Sequence, residues 1–309
     1  MAKVFVPPIK CQGIKTKLVS FIRQNLTWDG KGVWVEPFIG SGVVGFNIRP
    51  NQAIFADSNP HIINFYQAIN ENIITPASVR KYLEHEDQFL RKQGSDYYYQ
   101  VRERFNKKQE PLDFLFLNRA GFNGMIRFNQ KGKFNVPFNH KPNRFSKAYI
   151  TKIVNQVQYV HNLCQLHNYT FICQDFRQTL HQVDANDFVY CDPPYAGRHA
   201  DYYNGWSEED ERDLLALLSL CSGRFILSTW HSNQYRSNPT IPQFQKQYHI
   251  VTKEHYYHVG AKESNRNPVL EALIMNYQPT QNEYPKERSY QQAALLESGS
   301  PYLEFTDNT

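Results

Sequence analysis

Phe188-Val189-Tyr190-Cys191-Asp192-Pro193-Pro194-Tyr195 constrains the fold more than any other stretch of this chain. Phe188 to Cys191 read as a short strand buried on both faces, because aromatic and β-branched residues suit a covered pleated surface. Two consecutive prolines lack backbone N–H groups, so the strand must stop there. Rigid backbone then holds Asp192 and Tyr195 at the carboxyl edge where open α/β sheets bind ligands. At roughly 3.1–3.4 Å per residue, a carboxylate, the Pro193 carbonyl and an aromatic face lie within a few ångströms. Such a set can grip a planar amine by its NH2 and its ring together. An ordinary strand with a proline-terminated loop has the same letters, so the rest of the chain decides.

Other strands end in the same way. Val33-Trp34-Val35-Glu36 leads into Pro37-Phe38-Ile39-Gly40-Ser41-Gly42-Val43-Val44-Gly45, a glycine turn that lets backbone N–H groups approach a cofactor. Ala53 to Asp57 forms a second strand, whose terminal carboxylate can accept hydrogen bonds from ribose hydroxyls. Thr170 to Cys173 runs toward Asp175 and Phe176, an acid and an aromatic. One doubly wound, mostly parallel α/β sheet with its chemistry along the carboxyl edge explains Gly40, Asp57, Asp175 and Asp192 together. The literal GxGxxG pattern does not by itself separate a nicotinamide cofactor from S-adenosyl-L-methionine.

Charge is unevenly placed. From Phe114 to Gln174 there are eight Lys or Arg and no Asp or Glu, a local +8 against +5 for all 309 residues, which leaves −3 for the remainder. Such a block is the footprint of a polyanion partner. Within it, Asn118 to Phe138 alternates aromatic and basic residues with Gly and Asn, as a β-hairpin-like loop would. Arginine for a guanine edge, asparagine for further hydrogen bonds and apolar wedges suit a reader of duplex DNA. Lys10 and Lys15 stand before the first helix, as surface charges or as groups that close over a ligand.

Helices are expected over Pro60 to Asn72, about Val79 to Phe105, Tyr149 to Leu166, and after the Ser207/Asp210 capping box. The final strands are expected at Arg224 to Thr229, His249 to Glu254 and Glu271 to Tyr277. No apolar run approaches the roughly 20 residues of a membrane span, and no signal-peptide core opens the chain. The five cysteines and eleven histidines show no CxxC or HExxH spacing, so a reduced cytoplasmic protein without a metal is expected.

In this order the motifs resemble the Dam-type DNA adenine-N6 methyltransferases (D12 class, alpha group), and look most like the EcoRV-type modification enzymes. The resemblance spans about Val4 to Tyr277 and rests on Lys10 to Lys15, Glu36 to Gly42, Asp57-Ser58-Asn59, Asn118 to Phe138, Asp175-Phe176 and Asp192 to Tyr195. It implies a Rossmann-like S-adenosyl-L-methionine domain at 1–58 and 148–278. It implies a mainly helical target-recognition domain with a β-hairpin loop inserted at 59–147, while the polar, turn-rich and net acidic composition of 279–309 predicts a mobile tail. It implies Asp192, Pro193, Pro194 and Tyr195 as the catalytic set. Cofactor contacts fall on Lys10, Lys15, Glu36, Pro37, Phe38, Gly40, Ser41, Gly42, Asp57, Asn59, Asp175, Phe176 and Asp192. DNA contacts fall on Lys10, Arg119, Phe122, Asn123, Met125, Arg127, Asn129, Lys133 and Pro137.

The implied activity is methylation of an everted adenine in double-stranded DNA by a monomer that needs neither metal nor membrane. Many relatives carry Trp-Ala-Gly-Gly-Lys where this chain has Cys11-Gln12-Gly13-Ile14-Lys15. GATATC therefore stands beside GATC as the expected site. A nicotinamide oxidoreductase leaves Asp192 to Tyr195 and the basic block without a purpose. A catalytically inactive DNA-binding protein, or a methyltransferase acting on RNA or a protein glutamine, fits the combined motifs less well.

Overall fold

The computed structural model describes residues 3–195, 205–233, 235–256 and 268–279. Seven strands form one sheet: β1 (Trp34–Glu36), β2 (Gln52–Asp57), β3 (Asn168–Cys173), β4 (Phe188–Cys191), β5 (Arg224–Asn233), β6 (His249–Tyr256) and β7 (Pro268–Met275). Their order is β3-β2-β1-β4-β5-β7-β6. The first five run parallel, and β7 lies antiparallel between β5 and β6. Strand order reverses between β1 and β4, which opens a crevice at their carboxyl ends. The glycine turn follows β1 and Asp192 follows β4, so the topology alone brings them together. Apart from Pro279, the expected C-terminal tail lies outside the described residues.

Alternation along the strands builds two cores. Trp34, Phe55, Phe188 and Tyr190 face one side, and Val35, Val189, Cys191 and Phe225 the other. Trp34 pairs in register with Phe188, and their rings stack at 5.3 Å and 6°. β1 and β4 are buried at every position, which requires cover on both faces. Two short helices, α1 (Val19–Asn25) and α2 (Gly45–Ile48), stand before and after β1, and on one face cover comes from α3 (Pro60–Asn70) and α7 (Lys147–Leu166), both packed on β3. Asn59 caps α3 by accepting the His61 N–H at 3.0 Å, and Pro60 takes the first-turn position where no donor is needed. On the other face lie α8 (Phe176–Leu180) and α9 (Glu208–Leu220), the latter opened by the expected Ser207/Asp210 box.

The helical stretch expected from Val79 to Phe105 is two helices, α4 (Pro76–Gln93) and α5 (Ser95–Lys108). Gly94 separates them at φ +56, a conformation that glycine tolerates without strain. With α6 (Pro111–Ala120) they extend the α3/α7 core outward. The loop after α6 closes as a hairpin through two single antiparallel bridges, Gly121–Phe138 and Phe128–Phe134, rather than a continuous ladder. Backbone bonds still cross it, from Phe122 N–H to the Pro137 carbonyl and from Asn135 N–H to the Arg127 carbonyl, and Asn129 Oδ1 closes the tip by accepting the N–H groups of Lys131 and Lys133, at 2.9 and 3.0 Å.

Candidate active site

The glycine turn is tied to its neighbours on every side. Ile39 N–H donates to the Ala56 carbonyl at 2.8 Å, and Tyr66 Oη donates to the Ser41 carbonyl at 2.6 Å. Gly40 and Gly42 sit at φ +49 and +71, and a Cβ at Gly42 would stand 2.3 Å from the Phe46 ring. Beneath the turn, Glu36 is 2 % exposed and accepts the Trp34 indole N–H at 2.8 Å and the Gly45 backbone N–H. Burial pushes its carboxyl up to about 8, although both hydrogen bonds pull the other way. Glu36 therefore shapes the turn from below, and Pro37 is buried beside it.

Asp57 closes the next strand. Its two oxygens accept the Gly40 N–H at 3.0 Å and the Asn59 N–H at 2.9 Å. Burial raises its carboxyl to about 6 against those two donors. Each oxygen keeps a second lone pair, so the group can still receive hydroxyl donors from a ribose. Alongside, Phe38, Phe176 and Trp206 form a ring cluster with centroids 5.4 to 5.7 Å apart. Asp175 caps α8 through the Arg177 N–H at 2.8 Å, and its carboxylate also pairs with the Arg177 guanidinium at 3.2 Å.

Asp192 faces this crevice. Lys15 Nζ lies 2.8 Å from Asp192 Oδ1, and the same ammonium stands 4.8 Å from the centre of the Tyr195 ring. Asp192 is held above the usual carboxylate range, first by burial, with the Lys15 charge opposing that shift and Glu271 adding to it. Cys11 joins the two halves of the crevice. Its Sγ would lie 3.9 Å from a Cβ at Gly40, and both Asp57 and Asp192 act on its thiol.

Two site features escape sequence reasoning. Glu271, 1 % exposed, accepts the Tyr195 phenol at 2.8 Å from the middle of β7. A lone acid inside Val269-Leu270-Glu271-Ala272-Leu273 was the available signal. Trp206 joins Phe38 and Phe176 from the segment before α9 and carries no local signature.

The basic loop presents Phe122 (49 % exposed), Asn123, Asn129, Lys133 and Pro137 to solvent, with Met125 half-buried between them. Arg127 lies on the loop itself, its Nε donating to Asn135 Oδ1 at 2.8 Å. Arg119 is 3 % exposed, below the loop rather than on its surface. Lys10 is bound by its backbone to Asn118 at the loop's base, and its side chain meets Tyr149 rather than the glycine turn.

Residues 12–265 match the model of the D12 class N6 adenine-specific DNA methyltransferases. The chain belongs to that family. It is 29 % identical over 280 residues to Type II methyltransferase M.FokI of Planomicrobium okeanokoites, across 87 % of this chain and 42 % of that protein. A DNA adenine methylase of Haemophilus influenzae is 34 % identical over 195 residues, 62 % of this chain and 64 % of the relative. The Escherichia coli protein named Retron Ec67 DNA adenine methylase is 33 % identical over 218 residues, 68 % and 71 % of the two chains. The chain thus spans less than two thirds of the first two relatives' length. D12-class membership removes the nicotinamide reading of the glycine turn. Among the described residues no helix is long and apolar enough to cross a membrane, and no cluster of three or more His, Cys, Asp or Glu could hold a metal.

Proposed function

We propose that the chain moves a methyl group from S-adenosyl-L-methionine to N6 of an adenine everted from a GAT-containing duplex, GATATC or GATC. One observation carries the reading: Asp192 and the Tyr195 face already hold a single nitrogen donor, the Lys15 ammonium. An everted adenine needs those same two contacts, a carboxylate for its amine and a π-face for its ring.

The donor set suits the cofactor. Gly40, whose missing Cβ would meet nothing nearer than Cys11 Sγ at 3.9 Å, leaves room for close backbone approach, Asp57 keeps acceptor capacity for a ribose, and Phe38, Phe176 and Trp206 offer faces for a purine. Bound there, the cofactor supplies an electrophilic methyl on a sulfonium. The protein's part is to make a poor nucleophile reactive. The N6 lone pair of adenine is delocalised into the ring. Asp192 and the Pro193 carbonyl, accepting both N6 hydrogens, favour a pyramidal nitrogen whose lone pair faces the methyl. The methylated ammonium is strongly acidic and loses its proton without a dedicated base.

Everting the base costs a few kcal/mol. Stacking on Tyr195, worth about 1–3 kcal/mol, offsets much of that. Exposed Phe122 and Pro137, with Met125, suit a wedge into the duplex, and Asn123, Arg127, Asn129 and Lys133 suit polar contacts to bases and phosphates. A sheet domain at 1–58 and 148–278 with a recognition insertion at 59–147 accommodates this division of labour. Incubation with duplexes carrying GATATC, GATC or neither, followed by nucleoside analysis, tests the reading. N6-methyladenine confined to one of the two sites is expected; label on cytosine, or none on DNA, refutes it.

A further inference from the structure

We propose that Lys10, Arg119 and Arg144, gathered around the Tyr149 phenol, form a binding site for one phosphodiester of the strand that carries the everted base. The inference rests on the DNA-methylating reading above and assigns a role to Arg144 and Tyr149.

Two guanidinium groups meet on one oxygen, with a third cation beside it. Arg144 Nη2 donates to Tyr149 Oη at 2.8 Å, Arg119 Nη1 donates to it at 3.3 Å, and the Lys10 ammonium lies near enough to the same phenol to interact with its charge. The Arg144 guanidinium also lies over the Tyr149 ring, 4.4 Å from its centre, and Arg144 Nε donates to the Arg119 carbonyl at 2.9 Å. Among the described residues no Asp or Glu pairs with any of the three. Cations this close repel one another, and a phenol cannot neutralise them, so the cluster calls for an anion.

A second observation points the same way. Arg119 Nε is buried and has no hydrogen-bond partner, although Nη2 of the same guanidinium is satisfied by Gln156. An orphaned buried N–H is costly unless a ligand reaches it. Helix α7 begins at Lys147 with no acid in its first turn, so its positive end adds to the same field.

Position selects the ligand. Arg119 ends α6 immediately before the recognition loop, and Lys10 is tied to Asn118 five residues before Lys15 reaches Asp192. Arg119 also acts on Tyr66, whose hydroxyl holds Ser41 of the glycine turn. The cluster therefore stands between the loop that reads the duplex and the crevice that takes the base. Lys10, Arg144 and Tyr149 are half-buried, so part of each meets solvent.

Duplexes in which single phosphates are replaced by neutral methylphosphonates test this, with binding measured for wild type, Arg144→Gln and Arg144→Lys. Wild type should lose roughly ten- to a hundredfold in affinity at one phosphate beside the target adenine. Arg144→Gln should show a similar loss on unmodified DNA, a salt slope shallower by about one, and no further loss at that phosphate. Arg144→Lys keeps the charge and should keep the slope, which separates the site from a folding defect. Additive losses for Arg144→Gln and the methylphosphonate, or a defect confined to cofactor binding, would overturn the proposal. A wild type that binds duplex but transfers no methyl sinks the proposed function and leaves this site standing. Indifference to every methylphosphonate sinks the site alone.

Discussion

Glu36 gives the glycine turn a measurable pH signature. Its carboxyl rises from 4.5 to about 8 because burial under the turn disfavours the charged form. The folded protein therefore holds a proton that the unfolded chain gives up. Stability from this group is full below about 4.5, drains away as pH rises to about 8, and is level above. At about 1.4 kcal/mol per pH unit, that interval amounts to about 5 kcal/mol. Glu36→Gln keeps an acceptor for the Trp34 and Gly45 N–H groups but cannot ionise. Urea unfolding of both proteins from pH 4 to pH 9 measures the difference. The two should be similar near pH 4, and the variant should be more stable by about 3–5 kcal/mol at pH 9. Asp57 and Asp192 are raised too, so the variant should retain part of the downward slope. Parallel stability curves would refute the claim that Glu36 is the buried acid under the turn.

Lys15→Met should move the acidic limb of the methylation rate to higher pH, because the charge that opposes protonation of Asp192 is gone. A pH–rate profile checks this, and an unmoved limb would disconnect the two residues. Glu271→Ala should cut turnover roughly ten- to a hundredfold by releasing the Tyr195 ring, whereas Glu271→Gln, which still accepts the phenol, should keep most of it. The fluorescence rise of 2-aminopurine at the target position should separate the same two variants. Equal behaviour would make Glu271 a packing residue only.

Much of the frame was legible because it depends on local patterns. Apolar runs closed by Asp57, Asp175 and Asp192 mark strand ends that share an edge, since parallel strands joined by helices must present their carboxyl ends together. The Ser207/Asp210 box and the proline after Asn59 announce helix starts for equally local reasons. What stayed hidden depends on pairing across long separations. Lys15 meets Asp192 177 positions later, and Tyr195 meets Glu271 76 positions later. No period in the sequence says that β7 returns antiparallel between β5 and β6 and so carries Glu271 under Tyr195. Hairpin letters between Phe122 and Pro137 likewise conceal that the Asn129 side chain closes the tip. The Lys10, Arg119, Arg144 and Tyr149 cluster was visible only as a surplus of charge.

Asp192→Asn puts the central claim to the most direct trial. The amide keeps the shape of the carboxylate but turns one of its two acceptors into a donor that opposes the adenine amine. Single-turnover transfer of labelled methyl to a GATATC or GATC duplex should fall by about a thousandfold or more, while S-adenosyl-L-methionine binding by the same variant stays near that of wild type. Near-normal transfer by Asp192→Asn would mean that the target amine is held elsewhere.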